Sequence, residues 1–157
     1  MENFNKNNSK KGAAYEKEVK HDLINRGYTD IIDGIHPKTK WDNHPTRFYS
    51  EGSHLASVDF CAVNPSGEYE YIEAKGGETG KTNSQGKHNS GATRADSVKK
   101  ALYNGVIRKD LKLQGRYVIY FSEEPFPNST TDVMIAQALE KGWVDEVRYL
   151  PFYETID

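Results

Sequence analysis

The hydrophobic residues of the chain recur with a helical period near the N-terminus. Over residues 12–26, Tyr15, Val19 and Leu23 are spaced four apart, which places them on one face of a helix, and Gly27 follows as a left-handed stop. We therefore predict an amphipathic helix here, whose apolar face packs on the rest of the protein.

A period of two residues follows in the middle of the chain and predicts a β-hairpin. Residues 56–63 alternate, so one face of a strand carries Val58, Phe60 and Ala62 and the other carries Ser57, Asp59 and Cys61. Residues 64–67 form a turn, and residues 68–75, rich in Tyr and Ile, form the second strand. The preceding residues 34–54 have little periodicity and predict an irregular connection with one short strand near residues 47–49.

The second half of the chain alternates between helical and strand patterns after a long polar loop. Residues 76–95 contain five glycines and no large apolar side chain, and a long loop in a compact domain is usually functional. The predicted elements after it are a helix capped by Asp96 or Ser97 and running to about Lys112, an apolar strand over 116–121 buried on both faces, a helix over 130–141 and a last strand over 144–150. This order predicts an α/β fold with a mixed central β-sheet flanked by helices.

The composition fits one small domain. Its 157 residues suit a single core, which we place at residues 12–157 after a polar, Asn-rich leader at residues 1–11 that we expect to be flexible. Only 36% of the residues are hydrophobic, but ten Tyr, six Phe and two Trp provide large side chains to bury. No apolar run reaches the roughly 18 residues of a membrane helix. The lone Cys61 excludes an internal disulfide, and we expect it to be a buried structural thiol.

The charges are segregated along the chain although the net charge is only −2. Residues 75–116 carry ten Lys and Arg against three Asp and Glu, a local charge of +7, whereas residues 49–74 carry five acids and no Lys or Arg, and residues 121–157 carry eight acids and two bases. Such a chain can present a basic stripe beside an acidic pocket, as an enzyme that acts on phosphodiesters with a metal ion requires. Plain solvated faces are the alternative.

Two acids and a lysine on the predicted hairpin form the main candidate for chemistry. Glu73 and Lys75 are two residues apart and point to one face of their strand, and Asp59 can lie opposite them across the ladder. Two carboxylates can hold Mg²⁺ while leaving positions open to water and a phosphate oxygen, and a lysine beside them can help to deprotonate the attacking water. An exposed hairpin with a cross-strand salt bridge is the alternative.

With the segment Gly12-x-x-x-Glu16 before this hairpin and a Gly-rich basic segment after it, the chain resembles the PD-(D/E)xK nuclease superfamily over roughly residues 12–121. The resemblance implies a restriction-endonuclease-like fold with an αβββαβ core. It also implies an endonuclease, dependent on Mg²⁺ or Mn²⁺, that hydrolyses phosphodiester bonds in DNA, or in RNA such as tRNA.

The resemblance also assigns roles to individual residues. Asp59 stands in the place of the motif aspartate and Glu73 and Lys75 in those of the ExK pair, while Glu16 stands for the acid of the first helix. Asp59, Glu73 and Glu16 are thereby implied to bind the metal. Val58 stands where the superfamily is named for a proline. Glu18 is the alternative to Glu16, which we prefer because it borders the apolar face of the helix.

The segment from Ile72 to Gly77, followed by a polar loop and a helix, also looks like the C-terminal nuclease domains of bacterial polymorphic and contact-dependent inhibition toxins. This resemblance implies a cytoplasmic site of action after delivery into a target cell. It further implies a cognate immunity protein that binds the acidic hairpin or the basic loop.

The basic segment supplies candidates for contact with nucleic acid. We expect phosphate contacts from Lys81, Lys87, Arg94, Lys99 and Lys100, with Gln85 and Asn89 as hydrogen-bonding partners. Tyr69 and Tyr71 share the face of Glu73 and Lys75, and they either cover the sheet or stack on a base.

Three other functions remain open from the sequence. Residues 76–82 end in Gly-Lys-Thr, but a phosphate-loop NTPase would need a first glycine at Lys75 and a helix directly afterwards. His36, His44, His54 and His88 could form a histidine metal site, although their spacing matches no known pattern. A non-catalytic module could bind nucleic acid or protein through residues 75–116.

Overall fold

The computed structural model describes the backbone of residues 2–35 and 43–153 and the side chains of residues 12–35 and 43–153. Its elements in chain order are α1 (Glu2–Asn25), β1 (Thr29–Asp33), β2 (Arg47–Ser50), β3 (Ser53–Ser57), β4 (Phe60–Val63), β5 (Tyr69–Lys75), α2 (Ala95–Asp110), β6 (Arg116–Phe121), α3 (Thr130–Glu140) and β7 (Glu146–Tyr149). A short 3-10 turn at Gly91–Thr93 precedes α2.

Five of the strands form one mixed sheet in the order β1-β4-β5-β6-β7, and β2 and β3 form a separate two-stranded sheet. The pairs β1–β4 and β4–β5 are antiparallel, whereas β5–β6 and β6–β7 are parallel. The predicted α/β class with a mixed central sheet is therefore confirmed. The carboxyl ends of β5, β6 and β7 lie at the same edge of the sheet, because these strands run parallel.

Helices cover both faces of the sheet. Tyr15, Val19 and Leu23 are all at most 1% exposed and pack on the face that carries Ile72, so the predicted apolar face of α1 is confirmed. The opposite face packs against α2 and α3. Strand β6 contributes to both cores, as predicted, because Tyr117, Ile119 and Phe121 point to α2 and α3 while Val118 and Tyr120 point to α1.

The structure corrects several boundaries. Helix α1 begins at Glu2 rather than near Gly12 and so runs through the segment predicted as a leader. Residues 56–63 are not one strand, because β3 pairs with β2 in the second sheet and the chain bends before β4. Helix α2 begins after Arg94, which makes no side-chain cap, rather than after Asp96 or Ser97.

The sequence did not predict β1, which is the edge strand beside β4. Its residues, Thr-Asp-Ile-Ile-Asp, are mostly exposed, and its pairing with β4 is irregular between Thr29 and Ile32. An edge strand with a bulge and one half-buried position has no clear alternation of polar and apolar residues. Its strand conformation therefore depends on pairing with β4.

The loop at residues 76–95 has more structure than its sequence predicts. Thr82 and His88 form an isolated antiparallel bridge, and the side chain of Asn83 accepts hydrogen bonds from the backbone amides of Gln85 and Lys87 at 2.9 and 3.0 Å. No helix follows the Gly-Lys-Thr sequence directly, although a phosphate loop requires one there. Within the described residues, no helix is long and apolar enough to cross a membrane.

A buried polar network joins α1 to the sheet at the amino end of β5. Glu70 is fully buried and accepts hydrogen bonds from Tyr28 and Asn64 at 2.6 Å each and from Arg116 at 3.0 Å. Arg148 donates to the hydroxyls of Tyr28 and Tyr120. A buried carboxylate with a guanidinium and two neutral donors has its charge and hydrogen bonds satisfied, so this network is structural.

Alanine substitutions at two helical glycines are expected to change stability in opposite directions. A Cβ added at Gly105 of α2 would lie 2.3 Å from the backbone oxygen of Trp143, whereas one added at Gly12 of α1 would meet no atom within 4 Å. We expect Gly105→Ala to lower the free energy of unfolding by about 1–3 kcal/mol through overpacking. The control Gly12→Ala is expected to raise it by about 0.5–1 kcal/mol. Urea denaturation measures the free energy of unfolding of both variants. Similar effects of the two substitutions would contradict the close packing of Gly105 against Trp143.

Candidate active site

The three acids and one lysine singled out from the sequence lie together beside the carboxyl end of β5. They are Glu16, Asp59, Glu73 and Lys75. Lys75 is the last residue of β5, and Glu73 lies two residues earlier on the same face. Asp59 lies in the bend that precedes β4, where its backbone amide donates to the carbonyl oxygen of Ile72 at 3.1 Å. The predicted position of Asp59 on a strand is wrong, but its predicted place opposite Glu73 is what the register gives.

The Asp59 side chain extends the hydrogen bonding of β5 where β4 has ended. Its Oδ2 accepts the backbone amide of Ala74 at 2.8 Å. The carboxylate is therefore fixed beside the two residues that flank Ala74, Glu73 and Lys75. A carboxylate held by a backbone donor has a defined direction, which a site that positions reacting groups requires.

Glu73 is an acid buried beside a second acid, Asp59. It is 4% exposed, and Asn104 of α2 donates to its Oε2 at 3.2 Å. Burial raises the pKa of Glu73 well above its usual value, and the charge of Asp59 and a hydrogen bond with it raise the pKa further. Lys75 and Asn104 oppose this effect only in part. Glu73 thus retains a proton at pH values where an ordinary carboxyl group has lost it.

Glu16 reaches the same cluster from α1. Burial raises the pKa of Glu16 to about 8, with further increases from the charge of Asp59, from a hydrogen bond with Asp59 and from Asp33, while Lys75 lowers it. Glu18 is exposed on the outer side of the helix. Of the two acids considered from the sequence, the fold therefore brings Glu16 to Asp59 and Lys75.

The charge and the donor atoms of the cluster are of the kind that can bind a divalent cation. Burial disfavours the ionisation of Glu16 and Glu73, each of which lies beside Asp59, and a cation between them would stabilise the deprotonated forms. Oxygen ligands of this kind suit Mg²⁺ and Mn²⁺. Among the described side chains, no three His, Cys, Asp or Glu are already spaced as a metal cage. Asp59 is instead hydrogen-bonded to both glutamates, so an ion would displace shared protons.

The described histidines that the sequence offered as metal ligands each contact a different residue. His44 shares a hydrogen bond with Thr46, His54 packs against Tyr49, and His88 pairs with Glu123. His36 lies outside the described residues.

Tyr71 and Cys61 have structural surroundings. Tyr71 is buried in the core below α2, and Tyr69 packs edge-on against it with ring centroids 5.2 Å apart, so these tyrosines cover the sheet. Cys61 is fully buried and donates to the carbonyl oxygen of Pro45, and burial raises its pKa to about 11. The prediction of a buried structural thiol is confirmed.

A cleft of about 560 Å³ opens directly beside the acid cluster. Its walls are formed by α1, the residues after β5, the loop and the start of α2. They comprise Gly12, residues 76–78, residues 81–84, Asn89, Ser90, Gly91, Arg94 and Ser97. Of the basic residues predicted to contact phosphates, Lys81 and Arg94 line the cleft. Those outside its lining are the exposed residues Lys87, Lys99 and Lys100.

Glu123, which the sequence analysis missed, holds the cleft wall in place. It follows β6 and accepts hydrogen bonds from the hydroxyl of Ser90 at 2.6 Å and the amide of Gly80 at 3.1 Å, and it pairs with His88 at 2.9 Å. Although burial opposes it, these bonds lower the pKa of Glu123. The signal was available, because an acid directly after a strand parallel to β5 must lie at the same sheet edge.

Asn104 was also missed, since a single asparagine within an amphipathic helix carries no recognisable motif. Its side chain donates to the Ser57 carbonyl oxygen as well as to Glu73, both at 3.2 Å. It thereby ties α2 to the chain just before the bend that holds Asp59. We assign it a positioning role.

No protein-family model matches the chain, and no curated protein or solved structure shows significant similarity to it.

The raised pKa values predict that stability falls as the pH rises. For Glu16 the folded-state pKa of about 8 exceeds the ordinary value of 4.5, so the native state binds more protons than the unfolded state between these values. Without divalent cations, we expect a lower melting temperature at pH 8.5 than at pH 5.5. Glu16→Gln should reduce this difference, and Glu18→Gln should not. Equal pH profiles for the two variants would contradict the assignment.

Asn104 offers a second test through a change of charge. Asn104→Asp places another acid beside Glu73 and removes a donor, so we expect a larger loss of stability at pH 8 than at pH 5. Asn104→Ala removes only the hydrogen bonds and should cost about 1–3 kcal/mol, with a smaller pH dependence than Asn104→Asp because it adds no charge. Urea denaturation at the two pH values measures both, and a pH-independent loss for Asn104→Asp would place Glu73 elsewhere.

Proposed function

We propose that this chain is a metal-dependent endonuclease that hydrolyses phosphodiester bonds in nucleic acid. The observation that carries the proposal is the convergence of Glu16, Asp59 and Glu73 with Lys75 at one edge of the sheet. Perturbed acids that meet beside a cleft are typical of functional sites. The buried carboxyl groups suit a cation, and the adjacent basic segment suits a polyanion.

The order of the elements gives further support. With the β2–β3 sheet set aside, α1, β1, β4, β5, α2 and β6 follow one another as αβββαβ. The PD-(D/E)xK superfamily has this order, with its acids on the first helix and the central hairpin. We include a restriction-endonuclease-like fold and membership of this superfamily in the proposal.

Each member of the cluster has a distinct part in the proposed reaction. Bound Mg²⁺ or Mn²⁺ would supply charge stabilisation to the phosphate and acidify water. Asp59 and Glu73 would hold the ion through their carboxylate oxygens, and Glu16 would be a further ligand. The amide of Ala74 fixes the direction of Asp59, and Asn104 fixes that of Glu73.

Lys75 acts on the attacking water. Its Nζ ammonium group orients this water and offsets the negative charge that develops on the phosphate. Lys75 also lowers the pKa of both glutamates, which favours the deprotonated forms that bind a cation. The protons of Glu16 and Glu73 must leave before an ion binds, so metal affinity should increase with pH.

The partners belong to the same proposal. The phosphate contacts come from Lys81, Lys87, Arg94, Lys99 and Lys100, on the loop and the first turns of α2. As a toxin domain, the chain would act in the cytoplasm of a target cell after delivery. A cognate immunity protein would then cover the acid cluster or the basic loop.

Alanine substitutions test the chemistry. Asp59→Ala, Glu73→Ala and Lys75→Ala should each reduce cleavage of plasmid DNA or total RNA in Mg²⁺ by at least about 100-fold, because each removes a metal ligand or a charge that acts in the transition state. Glu16→Ala should reduce it also, while the control Glu18→Ala should retain activity. Circular dichroism verifies folding.

Chelation separates the metal mechanism from its alternatives. EDTA should abolish cleavage, and added Mg²⁺ or Mn²⁺ should restore it; full activity in EDTA would refute the mechanism. A biological effect that survives Glu73→Ala would instead favour a non-catalytic module that binds through residues 75–116.

A further inference from the structure

The cleft beside the acid cluster has the position and lining of a site for one nucleotide. We propose that it binds an unpaired nucleotide adjacent to the scissile phosphate, so that the substrate is single-stranded or locally unpaired nucleic acid rather than an intact duplex. This inference rests on the proposed function, because it assigns the cleft to the substrate of that site.

Two walls of the cleft are formed by residues close in the chain to members of the acid cluster. Gly12 and Glu16 are four residues apart on α1 and share one face of that helix, so the cleft begins one turn from Glu16. On the other wall, Gly76 and Gly77 directly follow Lys75. A chain whose phosphate lies at the cluster therefore has its next nucleotide at the mouth of the cleft.

The dimensions of the cleft favour a single nucleotide. Its volume of about 560 Å³ falls within the range of roughly 300–1,000 Å³ that is typical of small-molecule sites. Gly12 and Gly77 present no side chain to it, and no atom lies within 4 Å of a Cβ built on either residue. The space between α1 and the loop is thus left open by glycines on both walls.

The lining matches the chemistry of a nucleotide. Arg94 supplies positive charge for a phosphate group, as does Lys81, which pairs at 3.6 Å with Glu78 of the same lining. Asn83, Ser84 and Asn89 supply amide and hydroxyl groups that can hydrogen-bond to a base edge. The carbonyl oxygen of Asn83 already accepts two backbone amides, which fixes its side chain and leaves its NH₂ group as the donor. In a duplex, the Watson–Crick edges of the bases are paired inside the stack and are not accessible to these groups.

The walls are held in place before any substrate binds. Glu123 fixes the loop through Ser90, Gly80 and His88. Gly91 lies against the backbone of Glu123, where an added Cβ would be 2.4 Å from its amide nitrogen. The cleft is therefore preorganised, and a preorganised site loses less entropy when a nucleotide binds.

Binding measured in EDTA tests the inference without chemistry. Fluorescence anisotropy at physiological salt would compare one labelled sequence as single-stranded DNA, as single-stranded RNA and as duplex DNA, because low salt favours non-specific binding of any polyanion. We expect one or both single strands to bind at least about tenfold more tightly than the duplex. The single strand that binds more tightly shows whether the site prefers deoxyribose or ribose. Equal binding of duplex and single strands, or no binding at all, would overturn the proposal.

A cleft-filling variant locates the binding. Gly77→Trp places an indole where a Cβ meets no neighbour, and we expect it to weaken single-strand binding about tenfold. Gln114→Trp is the control, since Gln114 is exposed at the opposite end of the sheet. Ser84→Trp fills the cleft from the loop side and replaces Gly77→Trp if that variant does not fold. Unchanged binding by a folded cleft variant would overturn the proposal.

The two proposals fail in different ways. Single-strand binding that Gly77→Trp weakens, without cleavage in Mg²⁺ or Mn²⁺, would support the cleft assignment and refute the nuclease. Cleavage with equal binding of duplex, and no effect of the tryptophans, would support the nuclease and refute the cleft assignment.

Discussion

The hydrogen bond from the backbone amide of Ala74 to the carboxylate of Asp59 is the contact on which the candidate site depends. Strand β4 begins at Phe60, opposite Ile72, and the preceding chain bends away into the second sheet. The amide of Ala74 therefore has no backbone partner on β4, and a buried amide without a partner is costly. The Asp59 side chain takes that role, which places a carboxylate beside Glu73 and Lys75.

The two ends of β5 show why only one of them is a candidate for chemistry. Glu70 is completely buried, but Arg116 neutralises it and Tyr28 and Asn64 complete its hydrogen bonds. Glu73 is equally inaccessible and meets a second acid, with Asn104 as a neutral donor. Burial of like charges lowers stability unless a proton or a cation joins them. The buried charge at the amino end of β5 is thus neutralised by Arg116, whereas two acids lie side by side at its carboxyl end.

The parallel pairing of β5 with β6 extends this asymmetry to the surrounding loops. Because both strands end at the same edge, Lys75 and Glu123 lie close to it from neighbouring strands. The first belongs to the acid cluster, and the second anchors the Gly-rich loop that forms the cleft wall. The acid cluster and the cleft beside it therefore arise from adjacent strand ends.

Local pattern was sufficient for the elements with strong periodicity and for the acids on them. The helical face at Tyr15, the two-sided burial of β6 and the shared face of Glu73 and Lys75 follow from spacing alone, because burial acts on each periodic face. Strand β1, the bend at Asp59 and the roles of Asn104 and Glu123 were decided by tertiary structure. Each of these features depends on residues that are far apart in the chain and that folding brings together. A local sequence pattern carries no information about such contacts.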